Sequence, residues 1–217
     1  WSSHNTIKCV DFDNDNDLDI ALNGVYSSTT GYETVLFKNE ADTFTKVTVP
    51  FMGVSNAYGM EWADYNLDGF ADLLISGADG NNFPYTALYK NNGNSTFTEI
   101  NTGFPYTKLG SIDWGDYDND GDPDVMINGV SYYSSSTTSV YLNKIYRNDN
   151  GSFVMADSTL PAVTHGVSRF FDYNNDGLLD IAIIGNYTES YENSYPIFKI
   201  FRNNGGTFSD IQDSTLI

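Results

Sequence analysis

One cysteine, two histidines and ten basic residues are all that this chain of 217 residues offers of three common chemistries. Cys9 stands alone, so no intrachain disulfide can form and cysteine gives the fold no framework. Its place in an alternating apolar run predicts a small buried hydrophobe. His4 and His165 each precede an acidic loop by seven residues, and neither has a nucleophile or a zinc-ligand spacing beside it. No run of 18 apolar residues occurs, which excludes a membrane-spanning helix. The chain opens at Trp1 without an initiator Met, a basic n-region or an apolar h-region, the start expected of a processed product or an excised piece. The shortage of base leaves 29 acidic against 10 basic residues and a formal charge of −19. Such a charge repels nucleic acid and anionic membrane surfaces and implies a cationic partner.

The acidic residues are not scattered. They gather in four loops: Asp11-Phe-Asp-Asn-Asp-Asn-Asp-Leu-Asp19, Asp64-Tyr-Asn-Leu-Asp-Gly-Phe-Ala-Asp72, Asp116-Tyr-Asp-Asn-Asp-Gly-Asp-Pro-Asp124 and Asp172-Tyr-Asn-Asn-Asp-Gly-Leu-Leu-Asp180. The loops start 53, 52 and 56 residues apart, with no linker composition between them. Before them, Ile7/Cys9, Met60/Trp62 and Ile112/Trp114 alternate as a half-buried strand does, while the fourth copy keeps Phe170 and puts Ser168 at the other position. After each loop a short apolar run ends in Gly24, Gly77, Gly129 or Gly185, as a central strand would. An aromatic, a base and an Asn follow, ending at Asn39, Asn91, Asn148 and Asn203, and then Phe44, Phe97, Phe153 and Phe208 open a further strand. No window has sustained helical periodicity. The expectation is an all-β single domain over 1–217, with repeats of about 1–53, 54–105, 106–161 and 162–217. Four-stranded units in tandem are the signature of propeller blades, because one small sheet cannot bury both its faces alone.

Within each loop, oxygen-bearing side chains recur at positions 1, 3, 5 and 9. Hard calcium takes 6 to 8 oxygens, and a tight turn of this spacing converges that many, with the position 7 carbonyl as a further ligand. The candidate sets are Asp11, Asp13, Asp15 and Asp19; Asp64, Asn66, Asp68 and Asp72; Asp116, Asp118, Asp120 and Asp124; and Asp172, Asn174, Asp176 and Asp180. Position 7 is Asp17, Phe70, Asp122 and Leu178. Position 6 is Gly69, Gly121 and Gly177, with Asn16 in the first copy, the residue types that best tolerate a left-handed turn. Good turn formers alone would explain one such loop. They do not explain four in phase, since without a cation each would crowd carboxylates together. Magnesium prefers fewer carboxylates and keeps its waters. An EF-hand needs a bidentate Glu at position 12, where Leu22, Ile75, Ile127 and Ile183 stand.

The motif D-x-[DN]-x-D-G-x-x-D in this strand context resembles the FG-GAP/VCBS-type repeats of integrin α-chain propellers and of many secreted bacterial proteins. The likeness covers essentially the whole chain. Clean Phe-Gly and Gly-Ala-Pro signatures are lacking, so the closer likeness is to the secreted bacterial branch. The resemblance implies that each loop joins the first two strands of a blade and that the sixteen side chains hold up to four Ca²⁺. It also implies a role in adhesion, in ligand binding or as a scaffold beside catalytic domains. Rings in that family usually close with about seven blades, so four copies either close a ring themselves or belong to one of seven or eight.

The repeats differ in length chiefly in the segments Tyr26 to Tyr32, Asp79 to Tyr85, Ser131 to Ser139 and Asn186 to Pro196. These read as loops on one face, rich in Ser, Thr, Asn and Tyr, with Tyr32, Tyr85, Tyr132, Tyr133, Tyr187, Tyr191 and Tyr195 as candidate ligand-stacking residues. Asn94, Asn150 and Asn186 open glycosylation triplets. Carboxylates packed inside one turn do not suit a glycosidase pair about 5–9.5 Å apart, so no enzyme is expected. The expected function is an extracellular calcium-binding module for a protein or carbohydrate ligand. A lectin and a purely structural subunit of a cell-surface assembly are the alternatives. Calcium affinities of about 10⁻⁴–10⁻³ M, typical of extracellular modules, would suit that location.

Overall fold

A computed structural model of the chain describes residues 5–27, 31–132, 139–190 and 193–211. Among the described residues every regular element is a strand, and the strands form four antiparallel sheets of four. The first sheet holds β1 (Thr6–Val10), β2 (Asp19–Ser27), β3 (Gly31–Glu40) and β4 (Thr43–Val47). The second holds β5 (Ser55–Ala63), β6 (Asp72–Ala78), β7 (Pro84–Asn91) and β8 (Phe97–Ile100). The third holds β9 (Ile112–Gly115), β10 (Asp124–Tyr132), β11 (Ser139–Asp149) and β12 (Ser152–Asp157). The fourth holds β13 (Val163–Phe171), β14 (Asp180–Ser190), β15 (Asn193–Asn203) and β16 (Phe208–Asp210). In every sheet the strands lie side by side in chain order, a plain meander.

Each sheet covers the next, and three cores fill the three junctions. Successive side chains of a strand point to opposite faces. In β6, Leu73 and Ile75 face the first sheet, where they join Phe12, Ala21 and Leu36. Leu74 faces the third sheet and meets Ile112, Val125 and Ile127. With neighbours on both sides, every residue of β6 is buried, which is why this strand reads as an unbroken apolar run. The third core repeats the arrangement with Met126 and Ile145 against Ile181 and Ile183. Ser168, the polar exception, is buried and hydrogen-bonded instead of packed: its N–H donates to Ser111 Oγ at 2.8 Å and its Oγ accepts from Asn143 Nδ2 at 3.0 Å.

Among the described residues, the outer faces of the first and fourth sheets have no such cover. Ile20 and Leu22 are only half-buried, whereas their counterparts Leu73/Ile75, Val125/Ile127 and Ile181/Ile183 are fully buried. Cys9 shares that open face and is exposed, which corrects the expectation of a buried position. Its counterparts Trp62 and Trp114 pack against the first and second cores because another sheet lies over them.

β1, β5, β9 and β13 adjoin one another in order. Three residues before each acidic loop they carry Lys8, Glu61, Asp113 and Arg169, which meet in one charge network. Lys8 Nζ lies 2.6 Å from Glu61 Oε2, and Arg169 reaches Glu61 Oε1 at 3.1 Å and Asp113 Oδ1 at 3.4 Å. A residue of the fourth sheet thus touches one of the second.

Where they are described, the Tyr-rich segments are mostly strand, not loop. Tyr26 pairs with Tyr32, Ser131 with Val140 and Tyr187 with Tyr195, so the insertions lengthen the hairpins between second and third strands. Tyr, Thr and Val fit a pleated surface and form cross-strand pairs, as the rings of Tyr187 and Tyr195 do at 5.6 Å between centroids.

Candidate metal centre

Each acidic loop bridges the first and second strands of its sheet, and all four are wound by the same hydrogen bonds. The position 1 carboxylate grips the turn with both oxygens. In the third loop, Asp116 Oδ1 accepts from the Asp120 N–H and Oδ2 from the Gly121 N–H, both at 3.0 Å. Asp11, Asp64 and Asp172 accept the equivalent pairs at 2.7–3.2 Å. The position 5 carboxylate then accepts the N–H of position 7, at 2.9, 3.2, 3.0 and 3.0 Å along the chain. Position 6 is left-handed throughout, with φ of 72° at Asn16 and 91°, 98° and 86° at Gly69, Gly121 and Gly177. Position 4 is left-handed too, at Asn14, Leu67, Asn119 and Asn175. Two left-handed residues coil the loop tightly enough for positions 1, 3 and 5 to converge.

That convergence is closest in the first and third loops. Carboxylate oxygens of Asp11, Asp13 and Asp15, and of Asp116, Asp118 and Asp120, lie within 4.8 Å of one another. In each triad the position 3 residue has an oxygen that is buried and has no hydrogen-bond partner, Asp13 Oδ1 and Asp118 Oδ1. A buried carboxylate oxygen without a donor is costly unless a cation completes it. In the second and fourth loops the third position is Asn, and Asn66 and Asn174 each accept the N–H of position 5 at 3.1 and 2.9 Å.

Asp19, Asp72, Asp124 and Asp180 at position 9 are fully buried and do a different job. One oxygen of each accepts the N–H of position 2, at 3.1, 3.3, 3.0 and 3.2 Å. The other accepts the N–H of the recurrent Asn on the third strand, at 2.7–2.8 Å from Asn39, Asn91, Asn148 and Asn203. They lock each loop to its sheet and stand outside the two triads, although an ionised carboxylate with two acceptor sites used still has two free. Burial pushes Asp72 and Asp124 up to about 7, and it raises Asp19 as well. Asp118 is raised by burial and by the adjacent charge of Asp120. At position 7 the Asp17 and Asp122 side chains turn away to accept N–H groups of Ala41 and Asn150, at 3.3 and 2.7 Å.

The base before each recurrent Asn serves the loops unequally. Lys38 sits 2.6 Å from Asp13 and 3.4 Å from Asp15, Lys90 2.9 Å from Asp68 and Arg202 3.3 Å from Asp176. Arg147 instead pairs with Asp149 at 2.8 Å, and among the described residues no base makes an ion pair with the third loop, which holds the buried oxygen of Asp118.

The other candidate residues are dispersed. Tyr85 stacks on Tyr106 at 5.9 Å and its hydroxyl lies 3.0 Å from that of Tyr89, a member of the first core. Lys108 Nζ stands 5.1 Å over the Tyr132 ring, and Tyr187 packs against the third core. Tyr32 is half-buried and Tyr195 exposed, while Tyr133 and Tyr191 lie outside the described residues. Asn94, Asn150 and Asn186 are all exposed. His165 is an exposed residue of β13 with φ 50°, at the register shift between Thr164 and Val167, and His4 lies outside the described residues.

These sheets and loops define a tandem β-repeat protein whose units each carry one acidic turn. A model of the FG-GAP-like repeat matches residues 11–75 and again 64–127, more than half of the chain. The chain belongs to the FG-GAP-like repeat family. The fourth loop lies beyond the matched span and is tied to the others by its identical hydrogen bonding. No curated protein matches the chain.

Proposed function

We propose that the chain is a calcium-binding β-propeller module that acts outside cells in adhesion or in binding a protein or carbohydrate ligand, and that it has no catalytic role of its own. The propeller reading is supported by four meandering sheets stacked face to face, with their first strands gathered around the Lys8–Glu61–Arg169–Asp113 network. One observation carries the metal reading: the partnerless buried oxygens of Asp13 and Asp118, each inside a triad of converging carboxylates. In the third loop Asp116, Asp118 and Asp120 would hold the ion, with the Asp122 carbonyl and Asp124 as further oxygen donors. Equivalent residues would serve in the other three loops. Calcium would supply charge neutralisation, joining carboxylates that otherwise repel.

Titration calorimetry of the chelator-treated protein tests this. The expected result is saturable calcium binding with a rise in melting temperature, carried chiefly by the first and third loops. A melting temperature that does not move between chelator and excess calcium would refute the metal reading. A glycan array scored with and without calcium tests the ligand class. Specific retention of a glycan supports the carbohydrate form of the proposal, and none at all restricts it to protein ligands.

A further inference from the structure

Five Asn-Gly pairs occur in the chain, and the fold treats them differently. In such a pair a main-chain nitrogen attacks the preceding side-chain amide most readily, because glycine has no Cβ to obstruct the approach. Asn23 and Asn128 are buried in β2 and β10, where Asn23 Oδ1 accepts from Thr34 Oγ1 at 2.9 Å and Asn128 Oδ1 from the Val163 N–H at 3.1 Å. Asn92 and Asn204 are exposed, but their amides are tied across the turn. Asn92 Nδ2 donates to Thr96 Oγ1 at 2.9 Å and Thr98 Oγ1 at 3.1 Å, and Asn204 Nδ2 to Ser209 Oγ at 2.9 Å. Asn150 is exposed as well, and among the described residues its side chain has no hydrogen-bond partner.

Asn150 and Gly151 make the two-residue turn of the β11–β12 hairpin, closed by the Asp149–Ser152 pair, with φ of 53° and 86°. Two left-handed residues in succession are what Asn-Gly supplies at hairpin turns. The first sheet makes the corresponding turn between Glu40 and Thr43 with Ala41 and Asp42, at φ 48° and 66°, so the fold itself does not require an amide there. The backbone of the pair also holds two neighbours. The Asn150 N–H donates to Asp122 Oδ2 of the third loop at 2.7 Å, and the Gly151 N–H to Asn148 Oδ1 at 2.7 Å. Asn148 in turn donates to the Tyr65 carbonyl at 2.7 Å, across the junction between the second and third sheets.

We infer that Asn150 is a modification site, where the free side-chain amide is lost to its own backbone and the isoaspartate that results slackens the third loop and the middle junction. The Gly151 nitrogen gives its proton to solvent base and bonds to Asn150 Cγ, and the Cγ–Nδ2 bond breaks to release ammonia. Water then opens the cyclic imide. Cleavage at Cγ gives Asp, and cleavage at the main-chain carbonyl gives isoaspartate, whose main chain runs through the side chain and is longer by one atom. A two-residue turn lengthened in this way cannot keep both N–H groups on Asp122 and Asn148. The hydrogen bond from Gly151 to Asn148 withholds the attacking nitrogen while the turn is closed, so the reaction runs through openings of the hairpin. No metal takes part, so the inference stands apart from the calcium reading.

The test uses the 217-residue chain made in bacteria, so that Asn150 carries no glycan, incubated in chelator at mildly alkaline pH. Peptide mapping by mass spectrometry locates each lost amide, and an isoaspartyl methyltransferase assay counts isoaspartate. Asn150 is expected to convert first, while Asn23, Asn92, Asn128 and Asn204 keep their amides. Asn150→Ala, which copies the Ala41 turn, is expected to suppress that early isoaspartate. The isoaspartate form, isolated by ion exchange, is expected to melt below the unmodified protein. Asn150→Asp, with the same charge and no lengthened chain, is expected to melt close to the unmodified protein. Earlier amide loss at Asn92 or Asn204, or none at Asn150, overturns the assignment. An isoaspartate form that melts with the unmodified protein overturns its link to the junction.

Discussion

Asn148 and Asn39 occupy the same place in their repeats and differ in whether a sheet precedes them, so together they measure what a junction contributes. The Asn148 side chain is fully buried, donates to the Tyr65 carbonyl at 2.7 Å and the Pro123 carbonyl at 3.0 Å, and accepts from the Gly151 N–H at 2.7 Å. Asn148→Ala leaves the Tyr65 carbonyl stranded in the second core and frees two further backbone groups that are better hydrated. A buried polar group deprived of its partner costs about 1–3 kcal/mol, so the expected loss is roughly 3 kcal/mol. That is a large share of the roughly 5–15 kcal/mol by which a domain is stable. Asn39 makes one exposed contact at 3.3 Å, and Asn39→Ala should cost about 0.5 kcal/mol or less. Urea unfolding at fixed calcium gives both values. Because repeats are coupled only through neighbours, breaking the middle junction should also lower the slope of the transition. Equal losses for the two variants would refute the view that this Asn stabilises by joining sheets.

In the third loop, Asp118→Asn removes the carboxylate with the partnerless oxygen and is expected to weaken calcium binding there by about tenfold, or ~1.4 kcal/mol, read by calorimetry against the unaltered protein. Lys38→Met removes the ammonium that sits on Asp13 and Asp15, so calcium should bind the first loop more tightly while the calcium-free protein melts lower, as paired titrations and melts would reveal. Stability without metal should also depend on pH in an unusual direction. Asp72 and Asp124 rise from 3.8 to about 7 and Asp113 to about 6, all chiefly through burial, so across that window the folded state holds protons that the unfolded state has lost. Their stabilising effect is complete below about 3.8 and is lost as pH rises through about 6 to 7. Scanning calorimetry in chelator should therefore show the melting temperature falling between about pH 4 and 7. A flat or rising profile would show that these carboxylates ionise freely when buried.

The repeat, the strand type, the left-handed sixth position and the converging carboxylates were all legible in the sequence, because each depends on residues within a few positions of one another. The role of Asp19, Asp72, Asp124 and Asp180 was half legible. Their spacing marked them as oxygen donors, and the recurrent Asn on the third strand was visible as a pattern. Only the folded sheet shows that the carboxylate and the Asn N–H meet across about twenty residues of chain. Lys38, Lys90 and Arg202 likewise recur in sequence, yet whether a base turns towards its loop or away, as Arg147 does, depends on which acid lies nearest on the strand.

Burial is where reading the repeats as copies breaks down, and the reason is physical. Ile20, Leu73, Val125 and Ile181 are equivalent by sequence, and all four predict the same central strand. A side chain's exposure, however, is decided by the neighbouring sheet and not by its own. Three of them have that neighbour and Ile20 does not. The same holds for Cys9 against Trp62 and for Phe44 against Phe97. In a tandem array the sequence of a repeat specifies both faces of a sheet, and the burial of each face is set by the repeat stacked on it.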